Sequence, residues 1–246
     1  MLGIVVNYKT YDDLDKFVQS WDEYVDDQLI IVDVEAEQDI DYPGKCVWTT
    51  KNNIGYAASI NRAMTFKYEQ EYVGIFNADT RFVNSSCVPS CLDLLESNED
   101  VAAVGPMQYN SEGQLTHSGI VGTNTEPRFR GWLSQNKKEY SDIIDCVTVS
   151  GSALFTKRSV WDILTSCEYN PSTMGAFLPT QHFYEETWYC YHARKHGYRV
   201  LYNGEAEMIH EWHKASPVNG VYATSNMEKS KLEFMAACKA HGIECD

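Results

Sequence analysis

The sequence lacks the features that mark membrane proteins and nucleic-acid-binding proteins. It has no apolar run near the roughly 20 residues of a membrane span, so we expect no stable membrane insertion. It is also poor in basic residues, with 20 Lys and Arg against 35 Asp and Glu and a net charge of −15. This balance argues against a nucleic-acid backbone as a partner, which needs a basic surface, and against docking on anionic lipid.

The eight cysteines lack the regular spacing of a disulfide framework. Cys87 and Cys91 are spaced for one face of a helix and not for a zinc knuckle. The first residues, MLGIVVNYKT, are typical of a strand and not of a signal peptide. We therefore predict reduced thiols in a cytoplasmic protein.

Strand and helix patterns alternate along the first part of the chain. Helical spacing of apolar residues separates short apolar runs that are typical of buried strands. The runs lie at 3–8, 28–34, 45–50, 72–79 and 101–107, and the helical patterns at 12–25, 54–68 and 87–97. The alternation predicts an α/β protein with a Rossmann-like, mostly parallel sheet and helices on both faces.

The pattern loosens after Pro106. Residues 117–142 are polar and aromatic, which is typical of a segment that lies over a site or forms its rim. Strand and helix then return at 145–164, a helix and a strand follow at 184–202, and a last strand is predicted at 206–214.

Polar side chains follow the predicted strands, at the edge where open parallel sheets bind ligands. These strand-end residues are Asn7, Tyr8, Asp33, Asn77, Asp79 and His210. The closely spaced Asn77 and Asp79 leave two explanations open, namely a tight turn or a cation held by oxygen ligands. The recurrence of polar groups at four strand ends favours a nucleoside or a metal as the ligand.

The loop before the second predicted helix adds a further candidate. Asn52, Asn53 and Gly55 precede this helix, so backbone N–H groups at its N-terminus are expected to face the cleft. An Asn cap and a tight turn would explain the same residues. Asn61 lies within the helix, where Asn is a mediocre helix former, and we expect its amide to turn toward the cleft.

Several motifs follow one another in a characteristic order. They are IVVNY at 4–8, IIVDV at 30–34, NNIGYAASINRAM at 52–64, IFNADT at 75–80, VSGSALFTKRSV at 149–160, FYEETWYCYHARKHGY at 183–198 and AEMIHEWHKAS at 206–216. In this order they resemble the motifs of family 2 glycosyltransferases, especially the rhamnosyltransferase-like branch. The resemblance implies a GT-A fold, a nucleotide-sugar donor, a divalent metal and inversion at the anomeric carbon.

The resemblance also implies a metal site and a nucleoside site. Asp79 matches the metal-binding carboxylate of an Asp-X-Asp-like motif in which Asn77 replaces the first acid. His210 matches the strand-end histidine that completes the metal site, and Asp33 matches the residue that reads the base or ribose. Of the two candidate cofactors, Mn²⁺ and Mg²⁺, the imidazole ligand favours Mn²⁺.

Glu185 and Glu186 stand where the family places its catalytic base. Neighbouring helix residues point about 100° apart, so both carboxylates cannot reach one oxygen. We predict that Glu186 is the base and that Glu185 orients hydroxyl groups of the sugar or acceptor. Glu186 occurs where Asp is usual, Trp188 where an acidic residue is common, and His192 where Arg is usual. These departures leave the sugar and the acceptor open.

Three further residues complete the predicted site. Arg130 and Trp132 are expected to border the donor sugar and the acceptor, because aromatic faces suit the C–H surfaces of sugars. Gly151 is expected to let the substrate approach the backbone closely.

The sequence thus predicts an inverting, metal-dependent, hexosyltransferase-like enzyme. It would move a sugar from a UDP-, dTDP- or GDP-sugar to a hydroxyl of a glycan or another acceptor, in an oligomeric state that stays open. We predict one domain over 1–246, with a nucleotide-binding half at 1–107, an acceptor and catalytic half at 108–216 and a helical tail at 217–246.

Two other functions were weighed for this sequence. One is a non-catalytic module that binds nucleotide sugars. The other is a sugar-phosphate nucleotidyltransferase, which would be expected to carry a glycine-rich loop after the first strand. The corresponding segment here, NYKTYDD, has no glycine.

Overall fold

Strands and helices alternate through the first half of the chain. The computed structural model describes residues 1–167, 175–180, 183–212 and 221–245. The strands are β1 Leu2–Asn7, β2 Gln28–Asp33, β3 Cys46–Thr49, β4 Tyr72–Asn77, β5 Thr80–Phe82, β6 Val101–Tyr109, β7 Leu115–His117, β8 Ile120–Gly122, β9 Pro127–Phe129, β10 Ile143–Asp145, β11 Ala153–Lys157 and β12 Arg199–His210. The helices are α1 Tyr11–Tyr24, α2 Tyr56–Met64, α3 Cys87–Ser97, α4 Arg158–Ser166, α5 Glu185–Lys195 and α6 Val221–Ala240.

Most of these strands form one large sheet, in the order β10-β12-β6-β11-β4-β1-β2-β3. β1 runs parallel to β2 and β4, β2 runs parallel to β3, and β12 runs parallel to β6. β11 lies antiparallel between β4 and β6. The prediction of an α/β fold with a mostly parallel sheet is confirmed, and β11 interrupts the parallel order at its centre.

Apolar side chains fill the space on both faces of the sheet because they alternate along the parallel strands. On one face, Phe17 and Trp21 of α1 share an apolar cluster with Val5. On the other face, Ile60 of α2 shares a cluster with Ile4. Each such fully buried side chain contributes about 1.5–3 kcal/mol to folding. Helices therefore cover both faces, as predicted.

Helix α6 packs on α5. Phe234 and Cys238 of α6 meet Trp188 and Tyr191 of α5 in a third apolar cluster, while Tyr189 of α5 contributes to the core beside the sheet. α5 is therefore held between α6 and the sheet. The predicted helical tail contains α6, but the predicted boundary at residue 216 lies outside the described residues, so the division into halves stays a prediction.

The strand that carries His210 is longer than predicted. The two short strands expected on either side of residue 204 are one strand, β12, whose register against β6 shifts beyond Asn203. The Asn203 amide donates to Ser90 Oγ at 2.8 Å and accepts the Glu205 N–H at 3.0 Å. The second of these bonds satisfies the Glu205 N–H at the irregularity, and the strand continues through it to His210.

No helix within the described residues has the length and apolar character that a membrane span requires. All eight cysteines lie in the described part of the chain and are free thiols. Five of them are buried, and burial raises the pKa of the Cys146 thiol to about 12. Buried thiols of this kind are unreactive.

Candidate active site

The carboxyl ends of β1, β2 and β4 meet at one edge of the sheet. Parallel register sets Asn7 beside Asp33 and sets Val6 beside Asn77. The Asn7 amide donates to Asp33 Oδ1 at 2.7 Å, and the Asn77 N–H donates to Ser152 O at 2.9 Å. The structure thus brings together three of the predicted residues, each at the end of its strand.

Asp33 is fully buried, and both of its carboxylate oxygens are bonded within the protein. Oδ1 accepts the Asn7 amide, and Oδ2 accepts the Tyr11 hydroxyl at 3.3 Å. Burial raises the pKa of Asp33, while the hydrogen bonds from Asn7 and Tyr11 oppose this shift. A nucleoside that bonds Asp33 would share its carboxylate with Asn7 and Tyr11. The sequence did not single out Tyr11.

Tyr8 connects the end of β1 to the loop before α2. Its hydroxyl donates to Glu35 Oε2 at 3.1 Å, and the Glu35 N–H donates to Thr50 Oγ1 at 3.0 Å. The Thr50 hydroxyl donates in turn to Asn52 O at 2.9 Å. This chain of bonds fixes the loop beside the strand ends.

The same loop leaves the first turn of α2 without a side-chain cap. Asn52 and Asn53 are exposed, and Asn53 Oδ1 accepts the Gly55 N–H at 2.9 Å. Gly55 is the N-cap residue of α2, with φ of 82° and no side-chain hydrogen bond to the helix. This conformation suits glycine, and it leaves the helix N-terminus without a side chain over it.

Asp79 and His210 form a buried pair of side chains that could hold a metal ion. The antiparallel pairing of β5 with β12 sets His210 opposite Thr80, and the Glu211 N–H donates to Asp79 O at 3.1 Å. His210 Nε2 consequently lies 3.5 Å from Asp79 Oδ1, and both side chains are buried.

The geometry and chemistry of this pair suit one divalent ion. A separation of 3.5 Å is long for a hydrogen bond, whereas adjacent ligands on an octahedral ion with bonds of about 2.1 Å lie about 3 Å apart. The second ring nitrogen of His210, Nδ1, has no hydrogen-bond partner among the described residues. Burial lowers the pKa of His210, which keeps the ring neutral and able to bind a metal. The donors suit Mn²⁺ or Mg²⁺.

A second buried histidine, His117, lies near His210 and was missed by the sequence analysis. Its Nε2 accepts the Ser150 N–H at 3.4 Å, and its ring meets the Tyr202 ring edge-on at 5.9 Å. Burial, with His210 as the second cause, lowers the pKa of His117 to about 3. This imidazole is therefore neutral at neutral pH. The only sequence signal was its position at the start of the 117–142 segment.

The turn before β11 lies against Glu186. A Cβ atom on Gly151 would lie 3.2 Å from the Glu186 carboxylate carbon. The Tyr56 hydroxyl donates to Gly151 O at 2.7 Å from the opposite element, α2. Gly151 therefore contacts the first residue of α2, Tyr56, and lies against Glu186 in the first turn of α5.

Glu185 and Glu186 begin α5 after two strained residues. Phe183 and Tyr184 have φ of 70° and 71°, a conformation that costs on the order of 1–3 kcal/mol for each non-glycine residue. Glu185 is buried, and its Oε2 accepts the Thr180 hydroxyl at 3.3 Å. Strain of this kind persists where the surrounding packing holds functional groups in place.

Both carboxyl groups have raised pKa values. Burial, reinforced by Glu186, raises the pKa of Glu185 to about 8. Burial also raises the pKa of Glu186, although the backbone N–H groups of Glu186, Thr187 and Gly151 bond its carboxylate and oppose the shift. Perturbed carboxyl groups of this kind are typical of acid–base sites.

Tyr56 lies beside the turn that contacts Glu186, because its hydroxyl bonds Gly151 O. Burial raises the pKa of its hydroxyl, and the charges of Glu185, Glu186 and Asp79 add to the shift, in that order. The candidate metal ligand Asp79 and the carboxylate pair therefore all raise the pKa of one hydroxyl group. Tyr56 had no signal in the sequence beyond its place in the NNIGYAASINRAM motif.

Asn61 holds the loop that leads to Glu185. Its amide donates to Phe177 O at 2.9 Å, and its oxygen accepts the Phe177 N–H at 3.1 Å. A Cβ atom on Gly175 would come within 2.3 Å of this oxygen. The same loop carries Thr180, the partner of Glu185. The predicted contact of Asn61 with a nucleotide stays a prediction.

Arg130 and Trp132 have different surroundings. The Arg130 guanidinium bonds both carboxylate oxygens of Asp142, at 2.9 and 3.2 Å, so its described contacts brace the rim segment. The Trp132 ring meets the Trp212 ring nearly perpendicularly at 4.6 Å, and the Phe129 ring lies 5.8 Å from Trp132. Phe129, Trp132 and Trp212 form an exposed aromatic cluster. Of the three, Trp212 lies two residues after His210 in the chain.

The described architecture is the GT-A fold, a sheet of mostly parallel strands with polar groups at their carboxyl ends. No protein-family model and no curated protein matches the sequence. The structure is similar to that of GalNAc-T7 with UDP, GalNAc and Mn²⁺, with a TM-score of 0.67 and 11% identity over 96% of this chain and 50% of that chain.

A mannosyltransferase from Pyrobaculum calidifontis, in complex with GDP-Man and Mn²⁺, is also similar. Its TM-score is 0.62 at 14% identity, over 96% of this chain and 62% of that chain. The chain thus spans between half and two thirds of the length of these two proteins. At such low identity, the similarity establishes the fold of this chain but not its activity.

Proposed function

We propose that this chain is a glycosyltransferase that moves a sugar from a nucleotide-sugar donor to an acceptor hydroxyl, with inversion at the anomeric carbon. The observation that carries the proposal is the buried Asp79–His210 pair, 3.5 Å apart, together with the Glu185–Glu186 pair, whose Glu186 lies against Gly151. One pair suits a metal and the other suits proton transfer. Membership of family 2, in its rhamnosyltransferase-like branch, and transfer of a hexose are part of this proposal.

The donor would be a UDP-, dTDP- or GDP-sugar bound along the strand ends. Asn7 and Asp33 would bond the base or ribose, and the uncapped N-terminus of α2 after Gly55 would face the phosphates. The residues assigned to the donor are Asn7, Tyr8, Asp33, Asn52, Asn53, Gly55, Asn61, Asn77, Asp79, Arg130, Trp132 and Gly151. The protein carries a net charge of −15, so an anionic donor needs a local cation.

Asp79 and His210 would hold that cation, Mn²⁺ or Mg²⁺. When bound, such an ion offsets the negative charge that develops on the leaving diphosphate. The buried, neutral rings of His210 and His117 add no competing positive charge at this edge. The complexes of both similar structures with Mn²⁺ support this assignment.

Glu186 would act as the general base. Its carboxylate, which lies against Gly151, would take the proton of the acceptor hydroxyl as that oxygen attacks the anomeric carbon. The attack occurs on the face opposite the leaving diphosphate, which inverts the configuration. Glu185, with a pKa raised to about 8, is protonated at neutral pH and can donate a hydrogen bond that orients a sugar hydroxyl.

The acceptor would bind against the aromatic cluster of Phe129, Trp132 and Trp212. The cluster is exposed, and its member Trp212 lies two residues after the end of β12, the strand that carries His210. Flat aromatic faces bury the C–H surface of a sugar ring without a charge requirement. We therefore propose a glycan acceptor. A cytoplasmic location, inferred from the reduced cysteines, belongs to the same proposal.

The proposal is tested by incubating the protein and Mn²⁺ with a panel of UDP-, dTDP- and GDP-sugars. We expect one nucleotide class to release diphosphate in a Mn²⁺-dependent way, and a mixture of glycans to increase the rate. NMR of the product should show the inverted anomeric configuration, and retention would contradict that part of the proposal.

Two outcomes would favour the alternatives. Tight donor binding without any turnover would favour a non-catalytic binding module. Formation of a nucleotide sugar from a nucleoside triphosphate and a sugar phosphate would favour a nucleotidyltransferase.

A further inference from the structure

A cluster of metal-binding side chains lies apart from the residues assigned above. Cys167 directly follows α4, while His192 lies in α5 and His196 follows it one turn later. Residues four apart on a helix share one face, so both imidazoles point toward the end of α4. The three ligand atoms all lie within 4.8 Å of one another.

The distances match those of a tetrahedral zinc site. His192 Nε2 lies 3.2 Å from His196 Nε2, and Cys167 Sγ lies 3.2 Å from His196 Nε2. Tetrahedral bonds of about 2.0–2.1 Å to nitrogen and about 2.3 Å to sulfur place two nitrogens about 3.3 Å apart and nitrogen and sulfur about 3.6 Å apart. These two distances lie within a few tenths of an ångström of the tetrahedral values, and the third separation, between His192 and Cys167, is at most 4.8 Å, so the three groups could close on one ion with shifts of at most about 1 Å.

The donor set and its surroundings select the type of metal. One thiolate and two imidazoles suit Zn²⁺ far better than Mg²⁺ or Mn²⁺. His192 is buried, and an imidazole binds a metal in its neutral form. His196 is exposed and Cys167 is half-buried, so an ion could enter from solvent and keep a water as its fourth ligand.

We propose that Cys167, His192 and His196 bind one zinc ion that fastens α5 to the end of α4. The site is structural and separate from the Asp79–His210 pair. α5 begins at Glu185 and Glu186, so the ion would steady the helix that carries both carboxylates. The zinc site stands on its own geometry, and its test does not depend on whether the chain transfers a sugar.

The proposal is tested by cobalt substitution in tag-free protein that has been freed of metal with a chelator. Co²⁺ bound by a thiolate gives a sulfur-to-metal charge-transfer band in the near ultraviolet, which a site of oxygen and nitrogen ligands does not give. We expect this band in the parent protein and in Asp79→Asn, and we expect stoichiometric Zn²⁺ to displace Co²⁺ and abolish it.

Variants assign the band to the cluster. Cys167→Ser should abolish it, and the exposed His196→Gln should weaken Zn²⁺ binding by about 100-fold or more in calorimetry, because a site with two ligands holds zinc poorly. Cys46→Ser removes an exposed thiol elsewhere and should change neither. Absence of the band in the parent protein, or its survival in Cys167→Ser, would show that these residues form only a thiol–imidazole hydrogen-bond network.

Discussion

A Cβ atom on Gly151 would lie 3.2 Å from the carboxylate carbon of Glu186, so a methyl group there would push the carboxylate away by a few tenths of an ångström. Gly151→Ala should therefore lower kcat by about 10-fold or more, because small misplacements of catalytic groups are costly. Donor KM should rise as well, because Gly151 is also assigned to the donor site. Kinetics with the identified donor would measure both.

A matched variant controls for this change. Glu186→Asp shortens the side chain by one methylene, so Gly151→Ala should cost less in that background than in the parent. Additive effects of the two substitutions would show that the contact does not position the carboxylate.

Glu186→Gln keeps the shape and hydrogen bonding of the side chain but removes its ability to accept a proton. We expect turnover to fall by about 10²–10⁴-fold, the usual contribution of a general base, while donor binding stays nearly unchanged. Glu185→Gln should cost less in turnover and more in acceptor KM. The opposite pattern would show that Glu185 is the base and that Glu186 orients hydroxyl groups. Full activity of the double variant would show that neither residue takes part in catalysis.

Glu185 should make the protein less stable as pH rises. Its pKa is about 8 in the folded protein, against about 4.3 in an unfolded chain. The folded state therefore keeps a proton that the unfolded state releases, and the free energy of unfolding falls between about pH 5 and pH 8. The slope would reach at most about 1.4 kcal/mol per pH unit.

Urea unfolding across this pH range measures the slope. Glu185→Gln should flatten the slope, because the amide does not titrate. Glu126→Gln, at an exposed position, should leave the slope unchanged. An equal slope in the parent and in Glu185→Gln would contradict the raised pKa.

Asp79→Asn should abolish Mn²⁺-dependent donor binding and leave the fold intact, because it removes the charged ligand beside His210. Calorimetry with the nucleoside diphosphate, with and without Mn²⁺, measures the effect, and circular dichroism checks the fold. Asp93→Asn, on the exposed side of α3, is the control. Unchanged binding in Asp79→Asn would favour the turn as the explanation for the polar end of β4.

Asp33→Asn should weaken nucleotide binding by about 1.5–3 kcal/mol, the range for a hydrogen bond to a charged group. Because the Tyr11 hydroxyl bonds the same carboxylate at 3.3 Å, Tyr11→Phe should leave nucleotide affinity unchanged or raise it. Calorimetry on both variants checks this. Weaker binding in Tyr11→Phe alone would mean that Tyr11, and not Asp33, contacts the nucleoside.

The sequence by itself determined the alternation of strands and helices and the polar ends of β1, β2 and β4. These features depend on local periodicity and on residues that end strands, so they can be predicted from residues close together in the sequence. Asp33, Asn77, Asp79 and His210 became candidates in this way. Their roles toward a ligand stay predictions.

The tertiary structure decided which distant residues meet. The pairing of β5 with β12 brings His210 to Asp79, and packing brings Tyr56 to Gly151. The antiparallel direction of β11 depends likewise on contacts between segments far apart in the chain. So does the cluster of Cys167, His192 and His196. Such contacts are set by strand register and side-chain packing over the whole fold, and neither is encoded in the spacing of neighbouring residues.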